Sequence, residues 1–234
     1  MKKYFKTEEN KRIWEIDFLR SIAIILMISF HIIYDINEYL GFNVSYDRGF
    51  WFYIGKTSAV LFITISGICT GLAKNNFKRG LKILAMAMLI TIATFIFDRR
   101  QYVRFGILHL LGISIILSPF FLRLKRSTLL IISVISLSIG YKLNKITINN
   151  ALMVPFGVIY NGFITIDYYP IFPYIGVFAF GVYVYKKLYF NNKSLFSYEI
   201  NLKFINFLSR HSLKIYLVHQ PIILIIITLI KQCI

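Results

Sequence analysis

The 234-residue sequence is short of charge: 16% of its residues are Asp, Glu, Lys or Arg, against 57% that are hydrophobic. A water-soluble domain of this length needs far more polar surface, so a soluble enzyme is excluded. Acid is scarcest, with 10 Asp and Glu facing 27 Lys and Arg and a formal charge of +17. The two cysteines, Cys69 and Cys233, have no spacing that makes a disulfide framework or a metal site. None of the four histidines stands at H-x3-H spacing, so no metal is expected. The G-x-x-x-x-G-K-S/T phosphate loop is missing, which argues against an ATP-driven pump. No polar linker, repeat or low-complexity stretch divides the chain. The expectation is one membrane domain over 1–234.

Apolar runs fill most of what is present. Windows of about 18–20 residues almost free of charge match the length a helix needs to cross roughly 30 Å of hydrocarbon. The fold class expected is all-α, a polytopic membrane helix bundle. Seven spans are expected, at 14–35, 50–73, 80–97, 105–122, 127–143, 170–187 and 211–230. The stretch 151–170, broken by Pro155, Gly157, Gly162 and Pro170, reads as a re-entrant piece or an eighth span. The first apolar segment is too long for a cleaved signal and no small-residue cleavage site follows it, so a retained helix is expected.

The basic residues set the orientation. Segments 1–12, 74–82, 123–126 and 186–210 carry 17 Lys and Arg, and the intervening segments carry 7. By the positive-inside rule the N-terminus is cytoplasmic and the C-terminus outside. Positive charge beside helices meets anionic lipid, so the expected partner is the bilayer and not nucleic acid.

Within the first span, Arg20 and His31 interrupt the apolar run FLRSIAIILMISFHIIYDI. Eleven residues at about 100° each close three turns to within about 20°, so the two share a helix face, roughly 16 Å apart along the axis. Ionisable groups at membrane depth usually face protein or a wet cavity. Taken singly, Arg20 reads equally as a snorkelling cation or one paired with Asp17, and His31 as an interhelical hydrogen bond. Taken together they suit another chemistry. An arginine near the cytoplasm holds a phosphate, and a histidine further out acts as general base. Asp35, one turn beyond His31, is placed to orient its ring.

Other polar residues stand at span ends. His109 opens the fourth span, and Arg104, with Asp98, Arg99 and Arg100, forms a basic rim before it. Asp167 and Tyr168 precede the proline-marked sixth span and are candidates for contact with a hydroxyl or amine. His219 in the last span is followed by Gln220 and Pro221; proline removes a backbone donor and bends a helix, and polar groups beside such a bend often line a cavity.

The spacing R-x10-H in a first membrane helix resembles the motif of the membrane acyltransferase-3 superfamily. The fuller pattern is similar to the bacterial DUF1624 membrane proteins, which share a domain with heparan-alpha-glucosaminide N-acetyltransferase. Five pieces carry the likeness in order: EIDFLRSIAIILMISFHIIYDI at 15–36, VLFITISGICTGLA at 60–73, FGILHLLGIS at 105–114, DYYPIFPYIGVFAFG at 167–181 and RHSLKIYLVHQP at 210–221. The resemblance implies an integral membrane acyltransferase that moves an acyl group, acetyl foremost, from cytoplasmic acyl-CoA to a carbohydrate or glycolipid at the outer face. It implies residence in the cytoplasmic (plasma) membrane, and it leaves a homodimer open. By position, Arg20 with Asp17 matches the CoA-engaging site, and His31 with Asp35 the catalytic one. His109, Asp167, Tyr168, His219 and Arg104 are the candidates for acceptor contact. The eukaryotic heparan enzyme's histidine in the loop after the first helix has no counterpart, since no histidine stands between His31 and His109. Two rival functions fit the same residues. One is a proton-coupled transporter or flippase using His31, His109 and His219 as a relay, and the other is a non-catalytic membrane partner.

Overall fold

Lipid offers no hydrogen bonds to a backbone, so an apolar run in it satisfies its own groups along a helix. The computed structural model of the chain describes residues 12–198 and 202–233, and the basic start at 1–11 lies outside them. Helix α1 runs Trp14–Leu40, past the end of its apolar stretch. Gly41 stops it with a left-handed φ of 72°, its N–H bonded to the Asn37 carbonyl at 3.2 Å. The Asn37 amide then donates to the carbonyls of Phe42 and Val44, 2.9 Å each, and closes the turn.

Helix α2 spans Gly49–Leu72, α3 Asn76–Phe97, α4 Ile107–Arg123 and α5 Arg126–Leu143. Helix α6 spans Ile171–Val184 and continues through a π-turn at Tyr185–Tyr189; α7 is Lys203–Arg210 and α8 is Ser212–Cys233. Among the described residues, five helices (α1, α2, α3, α5 and α8) are long and apolar enough to cross a membrane, and α4 is a shorter apolar helix. The chain is an all-α, polytopic membrane protein. Residues 151–170 form no spanning helix: a 3-10 helix at Ala151–Phe156 gives way to irregular chain up to Pro170.

The described residues fall into two compact units, one made of those up to Ser58 together with those from Asn192 on, the other of Ala59–Asn191. In the first, α1 packs on α7 and α8. Its core holds Ile16, Ala23, Ile24 and Met27 of α1, Leu208 of α7, and Ile223 and Ile227 of α8. Ser58 reaches across to the Ala23 carbonyl at 2.8 Å. In the second, α3 packs on α4, α5 on α6 and α4 on α6. Backbones there approach closely through small residues: a side chain at Gly67 of α2 would run into the Phe178 carbonyl, and one at Gly181 of α6 into the Thr64 carbonyl. Leu89, Ile92, Ile96 and Phe97 of α3 are each more than half exposed, a surface that suits acyl chains and not water.

Candidate active site

The first unit holds both ionisable groups of the opening motif. His31 of α1 stacks on His219 of α8, with ring centroids 4.7 Å apart and planes 25° off parallel. Phe30 flanks His31 at 5.6 Å; among the described residues His31 has ring contacts and no hydrogen bond. The His219 Nδ1 lies 2.6 Å from the Tyr216 carbonyl. A carbonyl only accepts, so the proton is on Nδ1 and Nε2 carries the lone pair. That Nε2 is buried without a partner.

One turn on, Asp35 is fully buried, and its two carboxylate oxygens accept from the Gln220 amide at 2.9 and 2.8 Å. The carboxylate thus bonds the residue that follows His219 and not the His31 ring it was expected to orient. Both contacts tie α1 to α8: His31 to His219 and Asp35 to Gln220, with His31 and Asp35 one turn apart on the same face of α1.

At the start of α1, Asp17 is the hub of a second cluster. The Arg12 guanidinium grips it with Nε to Oδ2 and Nη2 to Oδ1, both 2.7 Å. Arg20 Nη1 donates to Asp17 Oδ1 at 3.2 Å and to Ser209 Oγ at 2.9 Å, and the Ser209 hydroxyl donates to Asp17 Oδ1 at 2.7 Å. The helical i, i+3 spacing of Asp17 and Arg20 accounts for that pair. The α7 backbone supplies Ser209, and Ser21 reinforces the contact by donating to the Ile205 carbonyl at 2.9 Å. Glu15 accepts from the Leu195 N–H at 2.7 Å and from Ser194 Oγ at 2.9 Å, pinning the loop before α7 to the same helix start. Two guanidiniums around one carboxylate carry a net positive charge, with Arg12 the more open of them (side chain 42% exposed against 19% for Arg20).

The second unit gathers the remaining candidates where the loop before α4 meets the chain before α6. Asp167 Oδ2 accepts from the Ile107 N–H at 2.9 Å and so caps α4 from sixty residues away. A Cβ at Gly106 would meet the Asp167 carboxylate and push it off the α4 cap. His109 has both nitrogens engaged. The Thr91 hydroxyl spends its one hydrogen on the Val103 carbonyl at 2.8 Å, so His109 Nε2–H donates to Thr91 at 3.3 Å and Nδ1 accepts from the Gly106 N–H at 3.2 Å. The Tyr168 hydroxyl donates to the Val154 carbonyl at 2.8 Å, and burial pushes its pKa up to about 12. It is a donor at neutral pH and not a base. Arg104 lies over the Tyr102 ring at 4.5 Å, with Tyr160 and Phe163 at 5.8 Å, and its Nε donates to the Ile164 carbonyl at 3.3 Å.

Arg12, Ser209 and Thr91 were not among the sequence candidates. Nothing local marks Arg12 or Ser209; each gains its role from chain that is distant in sequence. Among the described residues no group of three or more metal-ligating side chains converges.

Apolar spanning helices with paired imidazoles and a buried carboxylate between the first and last of them define an integral membrane protein with a polar seam in its interior. The chain belongs to the family whose model is described as "Heparan-alpha-glucosaminide N-acetyltransferase, catalytic", which matches residues 12–221. At the level of the family it is a transmembrane acyltransferase. No curated protein and no solved structure matches the chain.

Proposed function

We propose that the protein moves an acyl group, acetyl foremost, from cytoplasmic acyl-CoA to a hydroxyl or amino group of a carbohydrate or glycolipid at the outer face of the plasma membrane. The family match carries this reading, because it crosses both compact units and takes in every candidate residue. We take 1–234 as one catalytic domain of seven spans, N-terminus inside, working as a monomer or a homodimer.

The donor's phosphates meet the Arg12–Asp17–Arg20 cluster, whose surplus positive charge and forked donors suit them. His31 takes the acceptor's proton as its oxygen or nitrogen attacks the thioester carbonyl. The carbon–sulfur bond breaks, and the imidazolium returns the proton to sulfur, leaving CoA thiol and neutral histidine. His219 holds the His31 ring from one side, and Asp35 holds α8 in register through Gln220. Arg104, in the second unit, sets a guanidinium among aromatic rings, a surface whose chemistry suits a sugar. His109, Asp167 and Tyr168 hold the loops around it: His109 bonds Thr91 and the Gly106 N–H, Asp167 Oδ2 the Ile107 N–H, and Tyr168 the Val154 carbonyl.

The purified protein in liposomes, given labelled acetyl-CoA and glucosamine, tests this. Acetylglucosamine formation that falls at least about a hundredfold in His31→Ala supports it. Solute uptake with no thioester turnover indicates a transporter instead, and neither activity indicates a non-catalytic partner.

A further inference from the structure

A buried polar atom without a hydrogen bond is costly and therefore rare. Among the described residues five such side-chain atoms occur: Trp14 Nε1, Asn76 Oδ1, Ser114 Oγ, His219 Nε2 and Gln220 Oε1. The first three stand alone. The last two belong to successive residues of α8, and both side chains reach α1, His219 to the His31 ring and Gln220 to the Asp35 carboxylate. His219 is 8% exposed.

Acceptor-only partners set both orientations. The Tyr216 carbonyl keeps the His219 proton on Nδ1, so Nε2 offers a lone pair. The Asp35 carboxylate holds the Gln220 NH2 group, so Oε1 is the end turned away from it. The two unpartnered atoms are thus both acceptors. A phosphate, a carboxylate or a thioester oxygen also only accepts and satisfies neither. A hydroxyl or amino group satisfies either one.

We propose that His219 Nε2 and Gln220 Oε1 form a subsite along the α1–α8 seam for a hydrogen-bond donor, the hydroxyl or amino group of the acyl acceptor, an inference that rests on the acyl-transfer reading above. The subsite delivers that group beside the ring on which His219 is stacked. The donor substrate's phosphates are handled at the other end of α1, so the two substrates are sorted by hydrogen-bond polarity: a cluster of donors for the phosphates and a pair of acceptors for the nucleophile.

The test uses full-length protein carrying 15N-histidine in nanodiscs, with the His219 signals assigned by their loss in His219→Phe. Glucosamine and CoA are titrated in separately, and acetyl transfer to glucosamine is measured on the same preparation. The expected result is an unprotonated Nε2 that shifts on saturation with glucosamine and not with CoA. Acetylation of glucosamine without any Nε2 shift removes the subsite and leaves acyl transfer standing. An Nε2 shift without acetylation keeps the subsite and removes transfer to this amine. A shift with CoA alone, or with neither compound, overturns the subsite. If His219→Phe folds, keeping a ring against His31 while losing Nε2, its KM for glucosamine rises about tenfold, as one lost hydrogen bond requires, and its KM for acetyl-CoA stays put. A loss confined to kcat overturns the subsite in favour of His219 as the base.

Discussion

Asp17 shows how much of the site one residue organises. Its side chain is 7% exposed and collects both guanidiniums and the Ser209 hydroxyl. Removing it leaves two cations facing each other at a half-buried helix end. Loss of one partner from a buried ion pair costs about 3–5 kcal/mol. Asp17→Ala is therefore expected to lower the unfolding temperature in detergent more than any single loss from the rim, and Arg12→Lys much less; equal Tm values for Asp17→Ala and wild type would remove Asp17 as the hub. Tyr168 supplies a pH signature. Its phenol is pushed up to about 12 by burial, so the folded state favours the neutral, hydrogen-bonded form. The bond's contribution is whole below the ordinary tyrosine pKa of about 10 and is lost as pH climbs through the raised value. The stability gap between wild type and Tyr168→Phe is expected to hold at pH 8 and shrink above pH 10. A gap unchanged at the alkaline end contradicts this.

At the scale of elements, the helices were largely legible because membrane helices announce themselves by apolar length. Expected ends at 50–73, 105–122 and 127–143 became Gly49–Leu72, Ile107–Arg123 and Arg126–Leu143. Hydropathy misplaced ends that chemistry other than burial decides. Helix α1 continues to Leu40 through polar Asn37 and Glu38 because Gly41 is the first residue to turn the chain left-handed. Helix α3 starts at Asn76 because the Asn75 side chain caps it, accepting from the Lys78 N–H at 3.0 Å. Helix α7 escaped notice because Lys203–Arg210 is short and mixed in polarity. The cap on α4 escaped as well, since Asp167 lies far along the chain from Ile107. Asp167→Ala is expected to destabilise the protein by about 1 kcal/mol. Gly106→Ala is expected to match or exceed that, because its methyl displaces the same carboxylate. Thermal unfolding of both variants checks this, and a neutral Gly106→Ala would contradict it.

The whole molecule was legible in class, an all-α membrane protein of this family, and less so in who bonds whom. Arg20 and His31 were read as one face of one helix, but their partners Ser209 and His219 come from the far end of the chain. Spacing shows which residues share a surface and is silent on what covers it. The charge asymmetry makes a test at this scale. Asp47→Cys is expected to react with an impermeant maleimide added outside intact cells, and Lys78→Cys only after permeabilisation; the reverse pattern would invert the topology. The first pattern is the one the proposed reading requires, with the Asp17 end of α1 on the donor side and the His31 end on the acceptor side.

The central claim is that the His31 ring performs acyl transfer using a donor held at the other end of the same helix. Single-turnover acetyl transfer from labelled acetyl-CoA to glucosamine, in proteoliposomes with wild type, His31→Ala and Arg20→Ala compared side by side, tests it most directly. The expected outcome is a rate at least about a hundredfold lower at saturating donor in His31→Ala, and in Arg20→Ala an acetyl-CoA KM raised about tenfold or more by the lost charged hydrogen bonds. Transfer at the wild-type rate in a folded His31→Ala would contradict the account.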